Sequence, residues 1–157
     1  MNSNDTREQK IDTLNELISV TRNSADFYGE AAGEVGNPQL QSLFRNMADA
    51  KCGIVDSLSR EVKTEGGEPK DSAGFQGSLH RMYGEMRGKL GGDDYSYVEQ
   101  LEASEDRMLD AYRNVLDDGD TSQQVKSAVR EYLPQVIEQH NLMRDRKWMM
   151  EGDPSRH

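Results

Sequence analysis

The stretch LEASEDRMLDAY, residues 101–112, sets a carboxylate inside an apolar helical stripe. Leu101 lies four residues before Glu105, and Met108, Leu109 and Tyr112 lie three, four and seven after it. That is the spacing of one helix face. Two more ionisable residues share this phase: His140, among Leu133, Val136, Ile137 and Met143, and Lys51, among Phe44, Met47, Ile54, Val55 and Leu58. An acid, an imidazole and an ammonium in one interior support two chemistries. They neutralise one another, because an unpaired buried charge is costly even after relaxation. Alternatively, the acid and the imidazole hold a metal ion.

Whether they meet depends on helix register. Counted from a turn centred at Gly119, Glu105 is 14 residues back and His140 is 21 forward. The mismatch is about 10 Å of helix rise. Side chains lean toward their own helix N-terminus, which shortens the gap between antiparallel partners. A Glu105–His140 contact is expected, with Glu102, one turn nearer, as the alternative partner. Tyr28, Tyr112 and Tyr132 also fall on inward faces, where their hydroxyls need partners. The expected buried polar cluster is therefore Glu105, His140, Lys51, Tyr28 and Tyr112, needing no cofactor. The metal alternative takes Glu105, His140 and Glu102 as ligands for iron or another divalent ion.

These residues are positioned by helices. Steps of three and four place Ile11, Leu14, Ile18, Thr21, Ala25, Tyr28, Ala32 and Val35 on one stripe, which predicts a first helix over about 7–35. Thr6 and Gln9 form its capping box and Gly36 its left-handed cap. Asn37-Pro38 reads as N-cap and first helical residue of a second helix, 37–65, with Gly53 as a weak point. So short a turn makes an antiparallel hairpin. Gly29 and Gly33 offer either a close backbone approach or loose packing. GGEPKDSAG reads as a loop, followed by a short amphipathic helix over 76–90 with Leu79, Met82, Tyr83, Met86 and Leu90 on one face. Fifteen helical residues span about 22 Å, so a crossover and an excursion at one end both fit. A third helix is predicted over 93–117, capped by Asp93-Asp94. A fourth spans 121–150, with a Thr121–Gln124 capping box and a kink at Pro134. The expected fold is an all-α four-helix bundle, a single domain over 7–151, with flexible ends at 1–6 and 152–157.

Bulk composition narrows the partners. The chain has 157 residues, 34% of them apolar, and a net charge of −10. Concentrating that apolar content on single helix faces is what allows it to fold. An anionic surface disfavours nucleic acid and acidic membranes. The opening MNSNDTREQK has no apolar core and does not read as a secretory signal. No run approaches the ~18 apolar residues of a membrane span. Cys52 is the only cysteine and reads as a small reduced helix residue, consistent with a cytoplasmic setting. His80 reads as a surface residue and His157 as part of the chain's loose end. HNLMRDRKWMM is a basic, apolar segment in an acidic chain. It reads as packing on its own bundle or as a docking surface.

The chain resembles a bacterial ferritin-like four-helix-bundle family carried as a domain of unknown function. The resemblance runs from NELISVTRNSADFYGEAAGEV through DRKW and is most specific in LHRMYGEMRGKLGGDD and LEASEDRMLDAYRNVL. Glu105 and Asp106 match the family's Glu-Asp pair, Leu79-His80-Arg81 its Leu-His-Arg, and His140 in QHNLMRD its last-helix histidine. The resemblance implies a ferritin-like bundle and no particular reaction. Di-iron members of the wider superfamily use a glutamate on each of two helices and Glu-x-x-His on the other two. Here Ile137 stands three before His140, Lys51 occupies the core phase of a second helix that lacks histidine, and Glu30 is two residues off its stripe.

No phosphate loop, G-x-S-x-G or H-E-x-x-H motif occurs. The sequence thus favours a non-enzymatic protein that acts by self-association, as a dimer, or by binding another protein. The alternative is a metal-binding or redox bundle with a degenerate site.

Overall fold

The computed structural model describes residues 3–70 and 93–152, with side chains from Thr6 onward. Four helices account for nearly all of them: α1 (Ser3–Ala32), α2 (Pro38–Thr64), α3 (Asp94–Asp117) and α4 (Gln123–Glu151). No strand occurs among the described residues. The all-α four-helix bundle is as expected. The amphipathic segment 76–90, with His80, lies outside the described residues, as do residues 1–2 and 153–157; residues 3–6, expected in a loose end, are instead the first turn of α1.

Helix boundaries follow local chemistry. Asn37 accepts the N–H groups of Gln39 and Leu40, and Pro38 opens α2 without a donor to satisfy. Asp93 accepts the Tyr95 N–H to start α3. Three expected signals are corrected. Thr6 and Gln9 sit inside α1, which already runs from Ser3. Ser122, not Thr121, caps α4, by accepting the Val125 N–H. Gly36 is not left-handed; among the described residues the positive-φ glycine is Gly66, at φ 82°. Gly66 donates to the Lys63 carbonyl and Gly67 to the Val62 carbonyl, the paired bonds of a Schellman ending. Gly29 faces open space, so no close helix approach uses it.

Two sets of contacts fix the topology. Behind α2, Gly67 packs so tightly on Ile11 that a Cβ there would lie 2.8 Å from that side chain. Asn15 bonds the backbone of Glu68 and Lys70. α2 therefore ends beside the first half of α1. The start of α3 is at the opposite end: Asp94 accepts the N–H groups of Gly36 and Asn37, in the α1–α2 turn, at 2.9 and 3.0 Å. Residues 70 and 94 therefore stand at opposite ends of the bundle, the placement that a crossover requires. The helices run up, down, down and up. α4 returns antiparallel to α3, with Gln124 at Lys10 and Glu151 at the Tyr95 hydroxyl.

The core has two apolar clusters. One holds Phe27, Tyr28, Ala31, Leu40, Phe44, Met47, Tyr97, Leu101 and Met143. The other holds Leu14, Ile18, Ile54, Leu58, Met108, Tyr112, Val129 and Val136. On α2, α3 and α4 the change of cluster falls between Met47 and Ile54, Leu101 and Met108, and Val136 and Met143. Among the described residues no helix is long and apolar enough to cross a membrane.

Asp94→Ala should cost about 1–2 kcal/mol, because two turn N–H groups lose a charged acceptor. Urea unfolding monitored by helical circular dichroism measures this, with Asp94→Asn retaining part of the loss.

Candidate functional site

At the junction of the two apolar clusters each helix contributes one polar side chain. Lys51 lies midway between Met47 and Ile54, Glu105 between Leu101 and Met108, and Gln139 between Val136 and Met143, each at a three- or four-residue step. Tyr28 supplies the α1 member. Lys51, Glu105 and Tyr28 are fully buried, and Gln139 nearly so.

Their geometry is that of a charge neutralised by protein groups. Lys51 Nζ lies 2.8 Å from Glu105 Oε1 and donates to Gln139 Oε1 at 2.7 Å. Met108 Sδ lies at 3.5 Å, and the Tyr28 ring centroid lies 5.6 Å from the ammonium. Tyr28 donates its hydroxyl to the same Glu105 oxygen at 2.6 Å. An ammonium only donates, so the amide oxygen of Gln139 must face it. Glu105 Oε2 is buried without a hydrogen-bond partner among the described residues.

Burial pulls the Lys51 ammonium below the ordinary lysine value, against the opposing pull of Glu105. Burial, then the charge and hydrogen bond of Glu105, then the charge of Glu102 push Tyr28 well above the usual phenol value. Tyr112 is also pushed up, to about 12, chiefly by burial. Its hydroxyl pairs with Thr21 at 2.7 Å, and Thr21 in turn donates to the Leu17 carbonyl. Tyr112 therefore belongs to a separate pair on the same helices.

The structure brings Glu105, Lys51 and Tyr28 together and sets Gln139, not His140, beside them. His140 is half-buried on the flank, where Nε2 lies 2.5 Å from Asp106 Oδ1 and Nδ1 lies 3.3 Å from Asn141 Oδ1. The expected Glu105–His140 contact is corrected to Glu105 with Lys51 and Asp106 with His140. One residue is a 100° rotation, and on both helices it separates the interior from the flank. Register contributes too. Tyr95 meets Glu151 and Asp106 meets His140, so α3 and α4 are symmetric about residue 123, not Gly119. The metal candidates divide likewise. Glu102, Asp106 and His140 have ligand atoms within 4.8 Å of one another, while Glu105 is held by Lys51.

A di-iron centre does not fit the interior. The cation among these ligands is the Lys51 ammonium, and Ile137 stands where a Glu-x-x-His pair needs its acid. Gln139 carried no signal beyond its three-residue step from Val136, which His140 matched equally at three residues from Met143. Cys52 is exposed on α2. Partial burial, then Asp26, Asp56 and Asp49 raise its thiol above the usual value, so the reactive thiolate is disfavoured.

Four helices running up, down, down and up around a buried ion pair held by protein groups define a helical-bundle protein whose interior charge is structural. The chain belongs to the family Domain of unknown function (DUF2383), whose model matches residues 9–118. That span covers most of α1, all of α2 and α3, and stops before α4. No curated protein matches the chain.

Lys51→Met should lower unfolding free energy by about 3–5 kcal/mol, the range for a buried charge left without its partner. The Lys51→Met/Glu105→Leu double variant should lose clearly less than the summed single losses, as a denaturant double-mutant cycle would show. Raised phenol values also set an alkaline limit. The folded state retains the Tyr28 and Tyr112 protons above pH 10, while the unfolded state releases them. Their stabilisation is full below about pH 10 and is lost as pH rises toward about 12. Tyrosinate absorbance should show Tyr28 and Tyr112 titrating only with loss of helical signal.

Proposed function

We propose that the chain is a cytoplasmic, bacterial, ferritin-like bundle protein that acts non-enzymatically, through association with a second copy of itself. One observation carries this reading. The large apolar side chains exposed among the described residues, Leu142, Trp148 and Met149, all lie on the last part of α4, at 46%, 59% and 67% exposure. Leu142 and Met149 are seven residues apart and share a helix face with Asp145. Such clustering marks a contact surface more than scattered exposure does.

Charge favours a second copy as the occupant. The chain carries −10 overall, so most of its surface repels its own kind. Around Trp148, Arg144, Arg146 and Lys147 interleave with Asp145 and Glu151, and Arg144 stacks on the Trp148 ring at 5.0 Å. A two-fold contact at this end can set cation against carboxylate around the apolar stripe. The single long crossover supports the ferritin-like description. The non-enzymatic reading draws support from the core, where the ammonium and acid best suited to proton transfer neutralise each other out of reach of solvent.

Sedimentation velocity across a concentration series should show a reversible dimer. Trp148→Glu should shift it toward monomer by at least about tenfold in Kd, the scale of an interfacial aromatic anchor. A wild-type chain that stays monomeric at all concentrations would refute the reading.

A further inference from the structure

Separately from self-association, we propose that Glu102, Asp106 and His140 form a binding site for one divalent first-row transition ion of the zinc, cobalt or manganese class. Their ligand atoms lie within 4.8 Å of one another. Two rigid helices supply them: Glu102 and Asp106 are one turn apart on α3, and His140 faces them from α4. Carboxylate oxygens with one imidazole suit borderline to hard divalent ions, and three protein ligands leave a position open for water or another ligand.

The histidine is oriented for this role. Nε2–H now donates to Asp106 Oδ1, and a bound ion takes the place of that proton; Asn141 Oδ1, 3.3 Å from Nδ1, is then placed to accept the Nδ1–H as the outer partner that metal-bound histidines commonly have. Glu105 belongs to the same turn of α3, is fully buried, and keeps Oε2 without a hydrogen-bond partner among the described residues. Three carboxylates, Glu102, Glu105 and Asp106, thus crowd one helical turn. Two ammonium groups answer them: Lys51 on Glu105, and Lys147 3.6 Å from Glu102 Oε2.

The adjustment required is small. Tetrahedral ligands about 2.1 Å from an ion lie about 3.4 Å from one another. The Asp106–His140 pair, at 2.5 Å, must open by roughly 1 Å, and the Asp106 side chain, at 54% exposure, is free to swing. Lys147 must leave Glu102, so it competes with the metal.

Titration of the full chain tests the site, with cobalt(II) followed by visible absorption and zinc(II) by calorimetry. The expected result is one equivalent bound. Asp106→Asn and His140→Ala should each weaken binding at least about tenfold, while His80→Ala and His157→Ala leave it unchanged. Lys147→Met should strengthen it. Asp106 is exposed, so Asp106→Asn keeps the test valid even if His140→Ala unfolds. Trp148→Glu should retain the metal, which separates this site from the dimer contact. Absence of stoichiometric binding, or binding indifferent to Asp106→Asn, would overturn the assignment.

Discussion

An ammonium and a carboxylate, 2.8 Å apart and fully out of water, sit at the middle of this bundle. Removing such charges from solvent is expensive, and their attraction compensates only when the remaining donors and acceptors are also met. That demand reaches every helix. α1 must present the Tyr28 hydroxyl, α4 the Gln139 carbonyl oxygen and α3 the Met108 sulfur at one level. A slide by one turn on any helix would replace a polar partner by an aliphatic one. The apolar clusters on either side tolerate small shifts in packing; the polar layer between them does not, and so it fixes register.

The same layer shapes the chemistry left to the surface. Lys51 and Glu105 neutralise each other in the interior, and on α3 and α4 a second acid and an imidazole stand one residue further round. Asp106 and His140 are the direct neighbours of Glu105 and Gln139. A 100° turn separates a dry ion pair from a half-solvated acid–imidazole pair, with Glu102 beside it. The interior pair is held by protein groups away from water, while the flanking set is reached from solvent, with the Asp106 side chain 54% exposed.

Topology and family membership meet at the α3–α4 turn. The family match covers the helices that the crossover joins and ends at residue 118. The fourth helix, beyond the match, completes the core through Gln139, offers His140 to the flank, and ends in the exposed Leu142, Trp148 and Met149. Proposals about binding therefore rest on α4 and the α3 turn it faces. What α1 to α3 provide is the Asp94 clasp on the α1–α2 turn, which sets where α3 begins and hence the level of Glu105.

Much of this was legible in the sequence. Periodicity located four helices, and Asn37-Pro38 and Asp93 marked two starts, because capping needs only neighbours in the chain. The burial of Lys51, Glu105, Tyr28 and Tyr112 was legible for the same reason: apolar residues three and four away on both sides leave an ionisable residue no route to solvent. Helix ends were less so, since Thr6, Thr121 and Gly36 offered capping chemistry that the fold did not use. Tertiary structure alone decided which buried groups meet. Gln139 and His140 both lie on three- or four-residue steps from apolar neighbours, and no local pattern chooses between two positions 100° apart. The choice came from the register of α4 against α3 and from the requirement that Lys51 find an acceptor from across the bundle. Those are properties of helices already packed, which a one-dimensional pattern does not contain.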